Sequence, residues 1–572
     1  MIRVRPTFRI ALAAKAVEDS PESSPLGAAS VAAALRAAGA LAGRVEVALV
    51  EAEPEAAPEA LAGLIAAEKP AAVGFSIYCW NRAALSSASR LLRSRNPGLV
   101  LFAGGPETTA DPLGVIAEAG LDFAVVGEGE SAAVAAIATL LEGNRGALSS
   151  IPGIALAGQG EAPSRAPPED PAALASPWLS GILDPARYGG ALWELTRGCP
   201  YRCAYCYESK GEPGIRRLPI ERIEAELELF AASGISQVFV LDPTFNADRD
   251  RAAKILDLVR ERGRGIRWKF EVRAELLDRA LARRFAAISC SLQIGLQSAN
   301  PEVLATIGRN LDRELFRRKI ALLDEAGVTF GLDLIYGLPG EDLAGLRASL
   351  DYAIALQPNH LDLFPLALLP ATELADRAGE LGIEADPSPP YLVRSTRELQ
   401  APELRMAAAL AGACDLFYSR GRAVSWFLQA LRPLRLRPSA FFERFVEWLR
   451  GGLSFGAELS HRSIEGMQLA FLEERYRAAG LAELLPALRD IIRFNGAWGR
   501  AIADGESEDI ELSYDPDDVL GPAAMDLRAF ARSARPRPSL VSIAPSPVGE
   551  APILRARPRK GSPGPGRRRK LR

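Results

Sequence analysis

The sequence predicts an α/β protein in three parts. These are an N-terminal doubly wound, Rossmann-like parallel sheet over residues 1–145, a central partial (β/α)6 barrel over 191–374, and a mostly helical domain over 375–532. Three observations carry this reading. Apolar strand-like runs alternate strictly with amphipathic helices from residue 8 to 145. A second alternation of the same kind begins at Ala191. Beyond residue 375 the helical period takes over, with aromatic residues at helical spacing.

In chain order, "FRIALAAKAV" reads as a strand and "SPLGAASVAAALRAAG" as a turn and an Ala-rich helix ended by Gly39. Strand "VEVALVEA", helix "PEALAGLIAAEKP", buried strand "AAVGFSIYCW" and helix "AALSSASRLLRSRNPG" follow. Strands "LVLFAGGPE" and "LDFAVVGEGE" come next, the latter ahead of helix "SAAVAAIATLLEG". Such alternation implies parallel strands with right-handed crossovers, and ligands bind outside the carboxyl ends of the strands. Residues 146–190 are rich in Pro, Gly, Ala and Ser and read as a linker, with a small hairpin around "IPGIALAG". The second alternation supplies six β/α repeats: "ALWELT", "QVFVLD", "RWKFEVRAE", "SCSLQIGLQ", "TFGLDLIYGLP" and "HLDLFPLALLP", each strand followed by or feeding a helix. That is a barrel open on one side, with function at the carboxyl ends of its strands. In the helical part, Phe417, Tyr418, Trp426, Phe427, Phe441, Phe442, Phe445 and Trp448 read as core. Residues 533–572 read as a disordered basic tail, because Pro, Gly and Arg there leave too little apolar surface to fold alone.

Composition bounds the rest. The chain has 572 residues, 48% hydrophobic and 24% charged, with a formal net charge of −3. The last 18 residues hold nine Lys and Arg and no acid, so the remainder is acidic and no nucleic-acid partner is expected. No apolar run is long enough for a membrane span. The start "MIRVRPTFRIALAAKAV" is broken by Lys15 and followed by Glu18 and Asp19, so it reads as a first buried strand and not a secretory leader. The expected compartment is the reducing cytoplasm, where clustered thiols serve metals or catalysis.

Of six cysteines, three fall within eight residues, in "TRGCPYRCAYCYESKG": Cys199, Cys203 and Cys206, spaced C-x3-C-x2-C. Three readings compete. Structural zinc wants four protein ligands, and only two histidines, His360 and His461, exist in the chain. A disulfide leaves one thiol over. A [4Fe-4S] cluster held by three thiolates keeps one iron open for a ligand. Cys290 and Cys414 read as small buried apolar residues.

The spacing, placed after the first strand of a β/α barrel, resembles the radical S-adenosylmethionine (SAM) superfamily. The resemblance implies that Cys199, Cys203 and Cys206 hold the cluster, are its metal ligands and carry catalysis, with Tyr205 beside the adenine of SAM. It places Asp242, Pro243 and Thr244 of "LDPTFN" near the cofactor's amino group, although the family's glycine pair is absent there. "DLIYGLPGE" matches the latter half of the family's G-x-I-x-G-x-x-E pattern at Ile335, Gly337 and Glu341. Glu271, Arg273, Gln297 and Asp333 point into the barrel as candidate clamps for the carboxylate and ribose.

The first domain resembles the cobalamin-binding domain that precedes many such enzymes, and the whole is similar to a class B methyltransferase-like subgroup with a helical C-terminal extension. Leu26 and Gly27 of "SPLG", Ser76, Tyr78, Trp80 and Asn81 of "SIYCWN", Gly104, Gly105, Pro106 and Glu107 of "GGPE", and Gly127, Glu128, Gly129 and Glu130 of "GEGE" are the implied cobalamin contacts. The usual D-x-H-x-x-G loop is missing and the domain contains no histidine, so cobalamin is expected base-off with no histidine lower ligand.

The function so implied is methylation of an unactivated carbon, through a 5′-deoxyadenosyl radical and methylcobalamin, on a small-molecule or peptide substrate. An external electron donor of the flavodoxin or ferredoxin type is implied with it. A non-methylating radical cyclase or rearrangement enzyme, and a cobalamin or redox sensor with a structural cluster, remain as alternatives.

Overall fold

A computed structural model describes residues 7–21, 23–210, 214–449, 458–546 and 551–558. They form two compact units. The first takes in the chain up to Leu276 together with Arg283–Cys290 and Ala367–Val393. The second takes in Leu277–Ala282, Ser291–Leu366 and the residues from Arg394 onward.

The first unit opens with a six-stranded sheet in the order β2-β1-β3-β4-β5-β6. Its strands are β1 (Phe8–Lys15), β2 (Val45–Ala52), β3 (Ala72–Ser76), β4 (Val100–Gly104), β5 (Phe123–Val125) and β6 (Ile154–Leu156). β1 to β5 run parallel. Alternate residues of each strand serve opposite faces, and helices cover both. Ala11, Ala13, Val73, Phe75 and Leu101 fill one core, and Ile10, Leu12, Val47, Phe102 and Phe123 the other. β6 departs from expectation: "IPGIALAG" forms no hairpin of its own, and its strand pairs antiparallel with β5. Ile154 and Ala155 are buried there, an apolar pair that a free hairpin would leave in water.

The stretch expected as a linker is packed down. Ala166 N–H donates to Val126 O at 2.8 Å. Trp178 lies edge-on to Phe230 at 5.3 Å, and Ser176 donates to the buried Glu226 at 2.5 Å. Trp178 and Leu183 give this Pro-rich run enough apolar surface to fold against its neighbours.

The six β/α repeats divide three and three. β7 (Gly190–Trp193), β10 (Gln237–Val240) and β11 (Arg267–Val272) belong to the first unit, β10 pairing in parallel with both others. Between β7 and β10 lies a short antiparallel ribbon of β8 (Thr196–Arg197) and β9 (Arg216–Arg217). β12 (Cys290–Gln297), β13 (Thr329–Tyr336) and β14 (His360–Pro365) are parallel neighbours of the second unit. Trp193, Trp268, Phe270 and Phe285 are buried on the helix side of the first three.

Of the expected helical domain over 375–532, the part up to Val393 belongs to the first unit; from Ala401–Cys414 to Leu527–Ser533 the second unit is mostly helical, as expected, with one strand, Glu508–Leu512. Its aromatic residues form a core: Phe417 meets Phe441 and Phe445 edge-on at 4.9 Å each, and Phe427 stacks on Phe442 at 5.3 Å. The expected disordered tail is corrected in part. Ser539–Ala544 pairs antiparallel with both Glu508–Leu512 and Ile553–Pro558. Val541 and Ile543 alternate inward, a period-two signal that the surrounding Pro and Arg obscure. Residues 559–572 lie outside the described residues. Among the described residues no helix is long and apolar enough to cross a membrane.

Because Phe417 is fully buried at the centre of this cluster, Phe417→Ala should cost about 3–5 kcal/mol in chemical denaturation. Cofactor content per folded molecule should stay unchanged, as befits a core residue.

Candidate functional site

The cysteine loop begins where β7 ends. Trp193 anchors that strand by donating from Nε1 to Glu226 at 2.8 Å. The next backbone N–H groups, of Leu195 and Thr196, both donate to Asp242 Oδ1 at 3.0 Å. Asp242 is buried, which pushes its carboxyl up to about 6. It therefore shapes the entry to the loop through its side chain.

Within the loop, Cys206 N–H donates to Cys203 O at 3.0 Å, and Cys199 Sγ stands 3.9 Å from Thr244 Oγ1. Burial pushes the Cys206 thiol up to about 11, and Cys203 and Cys199 are near enough to push it further in the same direction. Three soft thiols within eight residues suit iron–sulfur ligation better than a hard cation. Tyr205 is half-buried between Ala204 and Cys206. The loop is backed from behind, since Leu374 N–H donates to Ala204 O at 2.9 Å.

On β11 the apolar side chains face the helices, while Lys269 and Glu271 take the opposite face. Glu271 is pushed up to about 7, by burial and then by Glu208. Just past the strand, Arg273 lies 3.7 Å over the Tyr201 ring and pairs with Glu275 at 2.6 Å. Its backbone is clasped by Asn246, which accepts from Arg273 N and donates to Arg273 O, both at 2.9 Å. Asn246 ends the "LDPTFN" segment. Sequence reasoning passed over it for Asp242, Pro243 and Thr244.

In the second unit the register sets Gln293, Gly331 and His360 in one row and Gly295, Asp333 and Asp362 in the next. Gln293 Nε2 donates to Asp333 and, at 3.2 Å, to Asp362; its Oε1 meets His360 Nε2 at 2.7 Å. Of these, only Asp333 was singled out from sequence. The period-two alternation of "SLQIGLQ" and "HLDLF" was the available signal for the others. Gln297 is buried at φ +66 and folds back over Gly295. Ile335 is buried, as is Glu341, which accepts from Ser298 at 2.7 Å and Ser349 at 3.2 Å. Of the remaining cysteines, Cys414 is buried as expected, whereas Cys290, expected to be buried, is half-buried, as is Cys79. His461 accepts from Arg500 at Nδ1, 2.9 Å away, and burial, then Arg422 and Arg500, hold it down to about 4.

The N-terminal glycine loops sit at the carboxyl ends of their strands. Tyr78 and Trp80 stack at 4.3 Å, with Trp80 half exposed. A Cβ on Gly27 would stand 2.9 Å from the Tyr78 hydroxyl and 3.5 Å from Ser76 Oγ, so the Leu26–Gly27 turn and this strand end converge. Gly105 has φ +110, and a Cβ there would stand 2.6 Å from Ile77 O. Only glycine lets the Gly104–Pro106 turn approach so closely. Several polar residues expected to touch cobalamin are engaged within the protein. Asn81 accepts from Tyr78 N at 2.8 Å and donates to Ser76 O at 3.1 Å. Glu107 accepts from Arg82 at 3.0 Å and from the Tyr391 hydroxyl at 2.6 Å. Glu128 and Glu130, beside Gly127 and Gly129, accept from Arg197 at 3.1 and 2.6 Å.

Two family models match the chain, each over part of its length. Residues 16–137 match the B12 binding domain, and residues 193–353 match the radical SAM superfamily. The chain carries both, in that order. Among curated proteins it is 28% identical over 325 residues to the 2-(S-pantetheinyl)-carbapenam-3-carboxylate methyltransferase of Streptantibioticus cattleyicolor, covering 53% of this chain and 47% of that one. It is 27% identical over 355 residues to the cobalamin-dependent radical SAM methyltransferase TokK of Streptomyces tokunonensis, covering 57% and 51%. The match thus spans about half the length of these relatives. In fold it is similar to the radical SAM methyltransferase TsrM of Kitasatospora setae, solved with cobalamin and a [4Fe-4S] cluster. The TM-score is 0.57, at 18% identity, over 82% of this chain and all of that one.

Glu341 supplies a pH prediction. Burial raises its carboxyl to about 7, so the folded form favours the proton. A folded value above the unfolded one makes stability fall as pH rises from the ordinary carboxylate range through 7. The unfolding temperature should therefore drop between pH 5.5 and 8.0. In Glu341→Gln that drop should be smaller, as read by calorimetry at both pH values.

Proposed function

We propose that this protein is a cobalamin-dependent radical SAM methyltransferase that methylates an unactivated carbon of a small molecule. The observation that carries the reading is the meeting, within one compact unit, of a three-thiol loop at the end of a barrel strand and the glycine loops of a B12-binding domain. The relatives' printed names agree with it: they include a carbapenam methyltransferase and an enzyme solved with tryptophan as substrate. When bound, the cluster would supply an electron to SAM, and cobalamin would carry the methyl group.

The chain's own residues have definable parts. Cys199, Cys203 and Cys206 hold the cluster, with the Thr244 hydroxyl, itself donating to Pro243 O at 2.8 Å, standing 3.9 Å from Cys199 Sγ. Arg273, held rigid by Asn246 and Tyr201, offers a fixed cation for the carboxylate of SAM. Within the same unit Glu271 offers a polar atom on β11, and in the second unit Gln297 and Asp333 remain candidate cofactor contacts on β12 and β13. Ser76 and Tyr78 stand over the Gly27 turn as polar candidates for cobalamin. His360 and His461, the only histidines of the chain, both belong to the second unit. Because the B12-binding domain contains no histidine to lie below cobalt, we infer that cobalamin, when bound, would be base-off without a histidine lower ligand. An external flavodoxin- or ferredoxin-like protein serves as electron source.

The test is anaerobic reconstitution followed by product analysis on candidate metabolites. S-adenosylhomocysteine and 5′-deoxyadenosine should both accumulate. 5′-Deoxyadenosine alone would identify a non-methylating radical enzyme, and neither product would overturn the reading. Replacing Cys199, Cys203 and Cys206 together with Ala should abolish the iron–sulfur absorbance and both products. Electron paramagnetic resonance of the cob(II)alamin form should show no superhyperfine splitting from an axial nitrogen; a three-line nitrogen pattern would refute the base-off assignment.

A further inference from the structure

Taking the cluster and cobalamin assignments from the proposed function, we infer that Arg197 is a positioning residue that joins the cysteine loop to the Gly127–Glu130 loop of the B12-binding domain. Disturbing either side of this joint then loosens the cofactor held on the other.

Arg197 lies two residues before Cys199, separated from it by Gly198 at φ +86. It sits on the two-residue strand β8, directly across from Arg216 on β9. Two guanidinium groups opposite one another on a ribbon repel. Carboxylates surround them instead of water. Arg197 reaches Glu128 at 3.1 Å, Glu130 at 2.6 Å and Glu194 at 3.1 Å. Arg216 reaches Glu128 and, at 2.6 Å, Glu169 O. Glu128 also accepts from Glu169 N–H at 2.8 Å. The Arg197 side chain is only 14% exposed and that of Glu130 9%. Burial of this depth with three different carboxylates uses the fixed fork of the guanidinium, which a lysine cannot copy.

The consequence for the loop is geometric. Its entry is fixed twice. From the barrel side, Asp242 holds the N–H groups of Leu195 and Thr196. From the B12-binding side, Glu128 and Glu130 hold the side chain of the next residue. The turn that starts the C-x3-C-x2-C run is thus set partly by residues 67 and 69 positions upstream. A displacement of the Gly127–Glu130 loop changes the same contacts from its other end, so by linkage the two sites share a coupling free energy.

The experiment uses the full chain, reconstituted anaerobically, and follows release of iron to a ferrous chelator. Arg197→Lys, Glu130→Gln and the double variant are compared with Glu46→Gln, a surface control that pairs with Arg9. Glu130→Gln lies in the B12-binding domain. It should nevertheless shorten the half-life of the cluster about fivefold or more, as should Arg197→Lys. The double variant should release iron no faster than the worse single one, because both changes break one contact. Glu130→Asp, which keeps the charge and shortens the reach, should recover part of the loss and separates the joint from general misfolding. With hydroxocobalamin as probe, Arg197→Lys should raise the dissociation constant by a similar factor. Iron release from Glu130→Gln at the wild-type rate would overturn the inference, as would a double variant whose effect is the product of the singles. A wild-type protein that takes up no cobalamin would sink the proposed function, while the iron-release comparison still decides the joint.

Discussion

At the end of β7 the chain must leave a parallel sheet and turn through a loop that carries three thiols. The N–H groups of Leu195 and Thr196 lose their sheet partners at that point. Asp242, from the end of the neighbouring strand β10, accepts both. A buried carboxylate is costly to maintain, and its raised pKa records that cost. The arrangement persists because the two backbone donors are equally costly to leave bare. Much of the first unit is organised to hold this corner. Trp193 is pinned to Glu226, Glu226 is met by Ser176 from the Pro-rich segment, and Trp178 closes over Phe230. A connection that composition alone marks as a spacer is in this way part of the wall behind the cysteine loop.

The same logic explains what could be read from sequence and what could not. The alternation of strands and helices was legible because it is a local periodicity, and every expected β/α strand from "ALWELT" to "HLDLFPLALLP" formed. The three cysteines were legible because their spacing is local too. The partners of Arg197 were not, since Glu128 and Glu130 lie in another domain and read there as residues of a glycine turn. Asn246 was hidden in the same way: its partner is the backbone of Arg273, 27 residues on, and backbone groups leave no mark in a sequence. The strands Ser539–Ala544 and Ile553–Pro558 were masked by composition. Their alternating apolar positions are few, and the Arg and Pro around them dominate any window wide enough to judge disorder.

The polar face of β12, β13 and β14 shows how a barrel wall is made both wet and rigid. Asp333 and Asp362 stand side by side in register, where two carboxylates repel. One amide, Gln293, donates to both and receives His360 on its other end. The ring of His360 fits only because its neighbour in the row is Gly331, where a Cβ would stand 2.0 Å from Nε2. Behind this wall the helical part contributes directly. Tyr418 donates to Pro358 O at 2.6 Å, and Ser419 meets both backbone groups of Leu361. The π turn Asp415–Ser419 that carries them is held by the Phe417 cluster. The helical extension is therefore the buttress of the last strand.

These features place the carboxylates in two physical classes. Glu128 is drawn below the ordinary range, because Arg216 and Arg197 outweigh the burial that would raise it. Asp242, Glu271 and Glu341 are all raised, with burial the leading cause. The first class joins one domain to another through fixed charge. The second lines or backs the strand ends with groups that change protonation near neutral pH. A group of the second kind can answer a bound cation by giving up its proton, whereas a group already paired with arginine cannot. Of the two raised carboxylates beside the cysteine loop, Asp242 is engaged by the N–H groups of Leu195 and Thr196, whereas Glu271 stands on the open face of β11, with Arg273 two residues further along the chain. The Arg273 guanidinium is itself matched by Glu275 at 2.6 Å, so at this strand end the charge of Arg273 is fixed while that of Glu271 follows its surroundings.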